Sequence, residues 1–179
     1  MKIAVSSLSE RPTTLQGTFA PKELELVAVR VQFRDPVQVS ATVSRMQEDV
    51  LAQGKASTKA HVECSRCLED VEVDLAGEFE ALYVTATGRF AKRMGHPDFA
   101  GGDQRVNFYS ELTVDLSDEI RQCILLALPI KPLCRPDCAG LCPQCGRNRN
   151  EGPCGCKEDA EDDLWAKLRA IIPPGNGKG

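Results

Sequence analysis

From Leu24 to Tyr83 apolar and polar residues alternate with a period of two, the pattern of strands that bury one face. Val27, Val29, Val31 and Phe33 alternate with Ala28, Arg30 and Gln32, and an Asp35-Pro36 break follows. Val37, Val39, Ala41 and Val43 then alternate with Gln38, Ser40 and Thr42. A third run sets Ala56, Thr58, Ala60, Val62 and Cys64 on one side and Ser57, Lys59, His61 and Glu63 on the other. A fourth turns Val71, Val73, Leu75, Phe79, Ala81 and Tyr83 inward against Glu72, Asp74, Glu78 and Glu80. The links between the runs are short, which predicts an antiparallel meander with one wet face.

The period then changes. Residues 87 to about 107 are rich in Gly and follow neither period, as expected of a long mobile loop. Leu116, Ile120, Cys123, Ile124 and Ala127 recur at helical spacing, with Asp115 or Ser117 placed to cap the first turn and Pro129 to end it. Leu164, Trp165, Leu168, Ile171 and Ile172 mark one face of a second helix, and the acidic run EDAEDD before them suits its positive N-terminal end. The expected class is α+β: an antiparallel β-meander or sheet with one or two packed helices and a C-terminal cysteine-rich, zinc-binding segment. The expected divisions are a β-rich domain with its helix over 1–129, the cysteine-rich segment over 130–157, a helix over 158–173 and a disordered tail over 174–179.

Composition narrows the function classes. A chain of 179 residues can build one core without cross-links, so cysteines are not needed merely to keep it folded. A formal net charge of −4 leaves nucleic-acid contact to a local patch. The N-terminus lacks the apolar run of a secretory signal, and no stretch approaches the roughly 18 apolar residues of a membrane span, so a cytoplasmic protein without a membrane partner is expected. In that reducing setting nine cysteines point to metal ligation or redox chemistry rather than disulfides.

Eight of the nine cysteines fall into pairs: Cys64 and Cys67, Cys134 and Cys138, Cys142 and Cys145, Cys154 and Cys156. Eight thiolates make two tetrahedral four-cysteine sites, and zinc accepts four thiolates without changing redox state. In LCPQCG, Pro143 stiffens the turn and Gly146 lets the backbone fold back so that its amides point at sulfur. The eight-residue link from Cys145 to the last pair suits a local site of Cys142, Cys145, Cys154 and Cys156. That leaves Cys64, Cys67, Cys134 and Cys138 for a second site, pinning a hairpin tip to the segment after the helix. A rival arrangement places one zinc among the six C-terminal cysteines and leaves the hairpin pair free or redox-active. An iron–sulfur cluster is disfavoured because the ferredoxin run is absent. Disulfide exchange is disfavoured because strand follows strand at Cys64 and Cys67. Cys123, on the helix's apolar face, reads as core.

No enzyme emerges. The two histidines, His61 and His96, have no evident nucleophile partner, no phosphate-binding glycine loop occurs, and the carboxylates along 72–80 read as a solvated sheet face. No catalytic residue and no small-molecule substrate is therefore expected. Around the thiols, Lys131, Arg135, Arg147, Arg149 and Lys157 face only Asp137 and Glu151. Two readings compete evenly: cations that offset the charge of about −2 on a four-thiolate zinc, or guanidinium groups, with Arg66, presented to RNA phosphates.

CSRCLED between strands, LALPIKPLCRPDCAGLCPQCGRNRNEGPCGC after an amphipathic helix, and a last helix containing LWAKLRAII together resemble the bacterial YceD family. The likeness is strong from about Ala60 to Cys156 and looser through the N-terminal strands. It implies a non-enzymatic factor in the maturation or stability of large-subunit ribosomal RNA, with ribosomal RNA, a pre-ribosomal particle, a ribosomal protein or a maturation enzyme as partner. Arg149 stands where the family commonly has leucine. Two other classes stay open: a zinc-dependent protein–protein adaptor, and a thiol redox switch.

Overall fold

The computed structural model describes residues 1–85, 106–109 and 113–156. Among them run strands β1 (Lys2–Ala4), β2 (Thr13–Phe19), β3 (Val31–Gln32), β4 (Val37–Met46), β5 (Asp49–Glu63), β6 (Asp70–Thr85), β7 (Val106–Tyr109) and β8 (Thr113–Asp115). Helix α1 (Ser117–Leu126) follows. The expected second helix, the tail and most of the expected loop lie outside the described residues.

The main sheet has the order β2-β4-β5-β6-β7, with β3 paired to β5. β4, β5 and β6 form the antiparallel meander that the alternation predicts. β7 runs parallel to β6, so the sheet is mixed, and the loop expected to reach 107 gives way to a strand at Val106. The inward set of β4 (Val37, Val39, Ala41, Val43) is buried, as are Ala56, Ala60 and Val62 of β5 and Leu75, Phe79, Ala81 and Tyr83 of β6. On the wet face Lys55 meets Glu78 at 2.7 Å and Lys59 meets Glu72 at 2.5 Å, so these carboxylates sit in cross-strand ion pairs.

Helix α1 lays Ile120, Cys123 and Ile124 on the buried face. It comes so close that a Cβ on Gly77 would stand 2.7 Å from the Cys123 carbonyl oxygen, so β6 needs glycine there. The flanking residue is Leu116, but the cap is supplied one residue earlier: Asp115 Oδ1 accepts from the Ser117 amide at 3.0 Å. β1 and β8 pair antiparallel beside the helix start, burying Ile3 and Val114. Asn107 of β7 donates to the buried Glu119 of α1 at 2.7 Å, and Tyr109 donates to the Glu48 carbonyl at 2.6 Å.

The first expected strand is corrected. Only Val31 and Gln32 are strand, while Val27 and Val29 are 82% and 90% exposed. Arg30 is left-handed (φ 60°), and a tight turn closes with the Val31 amide on the Ala28 carbonyl at 3.4 Å. The reversal switches the facing: Leu24 and Leu26 point inward before it, and Val31 and Phe33 pack toward the core after it. β1 is too short and β2 too polar to stand out in the alternation. β5 also begins earlier than its apolar run suggests, because Gln47 takes a left-handed φ of 59° and closes a two-residue hairpin with Glu48.

β5 and β6 stay paired from Val50–Tyr83 to Glu63–Asp70, a length of about 45 Å. Its far tip, residues 64–69, carries the first cysteine pair.

Candidate metal centre

At that tip the Leu68 amide donates to the Cys64 carbonyl at 3.0 Å and the Cys64 amide to the Glu69 carbonyl at 2.8 Å. The turn closes with Leu68 left-handed at φ 62°. The same turn recurs at the third pair. The Gly146 amide donates to the Cys142 carbonyl and the Cys142 amide to the Arg147 carbonyl, both at 2.8 Å, with Gly146 at φ 71°. Each CxxC is thus a knuckle whose fifth residue is left-handed and whose own amides turn back on the first sulfur.

After α1 the chain returns to the tip. The Ser65 amide donates to the Pro132 carbonyl at 2.8 Å, which brings Cys134 and Cys138 over Cys64 and Cys67. Cys64 Sγ lies 3.8 Å from Cys138 Sγ, and Cys67 Sγ lies 3.6 Å from Cys134 Sγ. Zn–S bonds of about 2.3 Å give a tetrahedron with edges of about 3.8 Å, so this four-sulfur cage has room for one such ion. Val71, Leu133 and Leu141 pack around it. A second cage gathers Cys142, Cys145, Cys154 and Cys156, and in each cage the sulfurs lie within 4.8 Å of one another. The two groupings are those expected from spacing. Cys123 stands apart, buried against Gly77, and burial pushes its thiol up.

The knuckle amides divide the protons. Burial raises the Cys64 thiol, but amides of Cys67, Arg66 and Cys134 outweigh it and hold it at about 6. Amides of Cys145 and Gln144 bring Cys142 to about 6. At Cys67 the Glu69 amide favours the thiolate, yet burial and the thiols of Cys64, Cys134 and Cys138 push it up to about 12. The Cys145 thiol, burial and Cys142 push Cys156 up to about 12. Each cage therefore holds amide-stabilised thiolate beside thiols that keep their protons, an arrangement a dication completes by expelling the latter.

Three residues that sequence reasoning passed over join the parts. Glu69 Oε1 accepts from Asn148 Nδ2 at 2.7 Å. Asn148 Oδ1 accepts from the Asn150 amide at 3.0 Å and from Asn150 Nδ2 at 2.9 Å. Asn150 Nδ2 also donates to Cys138 Sγ at 3.3 Å. The visible signal was two asparagines at alternate positions just past a knuckle. Gly140 lets the segment between the two cages approach the hairpin tip: its φ is 73°, and a Cβ there would stand 3.1 Å from the Arg66 carbonyl oxygen.

The five cations expected to face RNA are unequally placed. Arg66 donates to the Cys138 carbonyl at 2.7 Å. Arg135 donates to Asn150 Oδ1 at 2.8 Å and pairs with Asp137 at 3.5 Å. Arg149 is half-buried, whereas Lys131 and Arg147 are exposed. A third group of possible ligands, Asp35, His61 and Glu72, lies on the wet face, but the Lys59 ammonium already sits on Glu72.

The family model described as "Large ribosomal RNA subunit accumulation protein YceD" matches residues 52–171, which include both cages, most of the β5–β6 hairpin and α1. The chain belongs to the YceD family. Among curated relatives, an uncharacterised protein of Mycobacterium tuberculosis is 29% identical over 178 residues, covering 97% of this chain and 82% of its own. An uncharacterised Mycobacterium leprae protein is 32% identical over 151 residues, covering 84% and 65%. The Arabidopsis thaliana "Large ribosomal RNA subunit accumulation protein YCED homolog 1, chloroplastic" is 26% identical over 152 residues. That match covers 74% of this chain and 47% of the plant protein, so this YceD chain spans about half the length of its plant relative. No solved structure matches. Among the described residues no helix is long and apolar enough to cross a membrane.

Proposed function

We propose that this YceD chain is a non-enzymatic factor for large-subunit ribosomal RNA accumulation, binding ribosomal RNA or a pre-ribosomal particle through a basic surface stiffened by two zinc ions. The observation that carries the reading is the pair of all-cysteine cages inside the family-matched region. Four thiolates leave no coordination position for water, so the metal's part is rigidity. The sulfur donor set and the cage dimensions suit zinc. The names of the family and of its plant relative support the ribosomal direction.

Lys131 and Arg147, exposed beside the cages, are the first contacts to test. Binding to large-subunit ribosomal RNA fragments should weaken steeply with salt. The paired reversal Lys131→Glu with Arg147→Glu should cost at least about tenfold in affinity and flatten the salt slope. Salt-insensitive binding, or affinity unchanged by the reversal, would remove this surface from the account.

One observation favours a protein adaptor as the second reading. An apolar groove beside the first cage is lined by Val29, Val31, Val62, Leu68, Leu128 and Ile130, and Val29 and Ile130 are 90% and 97% exposed. Ile130→Asp that strips the chain from pre-ribosomal particles while leaving affinity for naked RNA intact would favour that reading.

A further inference from the structure

We propose that the two cages bind metal cooperatively and that the carboxamide of Asn150 carries the coupling. The inference rests on the two-zinc reading and adds to it a positioning residue outside both ligand sets.

Asn150 belongs to one cage by sequence and to the other by contact. It lies between Cys145 and Cys154, on the segment that must return for the second cage to close. Its Nδ2 donates to Cys138 Sγ, a prospective ligand of the first, at 3.3 Å. Its Oδ1 accepts from the Ala139 amide and from Arg135, both at 2.8 Å, so it grips the turn on either side of Cys138. That turn is itself closed by the Cys138 amide on the Arg135 carbonyl at 3.1 Å. Asn148 holds Asn150 from behind and is tied to Glu69 on the hairpin tip.

The position of Asn150 depends on the second cage. The Cys142 amide on the Arg147 carbonyl and the Arg149 amide on the Gly140 carbonyl, both at 2.8 Å, align residues 140–142 with 147–149. A metal on Cys142, Cys145, Cys154 and Cys156 fixes both ends of the returning segment, and so sets the amide donor against Cys138. A metal in the first cage fixes Arg135 to Cys138, and so sets the partners of Asn150. Each ion thus meets part of the ordering cost of the other, and the gain is reciprocal. Donors to metal-bound atoms typically contribute 10- to 100-fold in metal affinity, and a coupling factor of about that size is expected.

The test uses the full chain and zinc in competition with a chromophoric chelator. The overall constant for two ions comes from the unsubstituted protein. The single-site constants come from Cys154→Ser with Cys156→Ser, which keeps the first cage, and Cys64→Ser with Cys67→Ser, which keeps the second. The overall constant divided by the product of the two is the coupling factor, and it should be about 10 to 100. The same three measurements with Asn150→Ala added should return a factor near one. Asn150→Asp, which keeps the acceptor for Arg135 and Ala139 but removes the donor to Cys138, should do likewise while still loading two ions. A factor near one in the unsubstituted chain, or one undiminished in both Asn150 variants, would overturn the proposal. An unsubstituted chain that binds fewer than two ions would instead overturn the zinc reading beneath it.

Discussion

Leu68 and Gly146 occupy the same place in two copies of one turn. Each is the fifth residue of a cysteine knuckle and each is left-handed, at φ 62° and φ 71°. Glycine bears that conformation without strain, and an exposed leucine does not. Leu68→Gly is therefore expected to stabilise the metal-loaded protein by about 0.5–1 kcal/mol, while Gly140→Ala, with its Cβ against the Arg66 carbonyl, should destabilise it by at least about 1 kcal/mol. Unfolding midpoints moving the other way would contradict the knuckle geometry. The thiols make a second claim at this scale. Cys67 and Cys156, pushed up to about 12, keep their protons through neutral pH and would give them up to a bound metal. Zinc affinity should accordingly rise with pH and fall on acidification, by about tenfold per pH unit for each proton expelled. Chelator competition in mildly acidic and mildly alkaline buffer checks this, and a pH-independent affinity would refute the proton assignment.

At the scale of elements, legibility followed burial. β4, β5 and β6 could be read because each turns mostly apolar residues to one core face, so the period of two survives from Val37 to Val43 and from Leu75 to Tyr83. Val27 and Val29 keep the same period and are not strand, because a left-handed Arg30 turns the chain and reverses its facing. Val29→Ser should therefore change stability by less than about 0.5 kcal/mol, whereas Val39→Ala in β4 should cost about 2 kcal/mol. Equal costs in chemical denaturation would restore the strand. β2 escaped notice because Thr, Gln and Gly fill an edge strand without a clear alternation, and β7 because parallel pairing leaves no local signature. Cysteine spacing revealed both cages, since each pair must reach two corners of one tetrahedron. The asparagine strut was harder to see: Asn148 and Asn150 act through contacts with Glu69 and Cys138 that only the folded chain brings near.

For the whole molecule the cages are a matter of connection. The long β5–β6 hairpin of the main sheet presents one knuckle at its tip, and the chain leaving α1 presents a second pair to close over it. The second knuckle is then tied to both by Asn148 and Asn150. Without metal the clasp consists of a few hydrogen bonds and four cysteine sulfurs per cage; a metal in each cage would make it a rigid platform with Lys131 and Arg147 exposed on it. On the proposed reading that rigidity would serve presentation, since ordered cations lose less freedom when they meet a phosphate backbone. The account stands on the metal. Elemental analysis of the full chain, purified under reducing conditions without added metal, should find close to two zinc per chain, both lost with the thiols' alkylation. One zinc or none, or iron in its place, would contradict it.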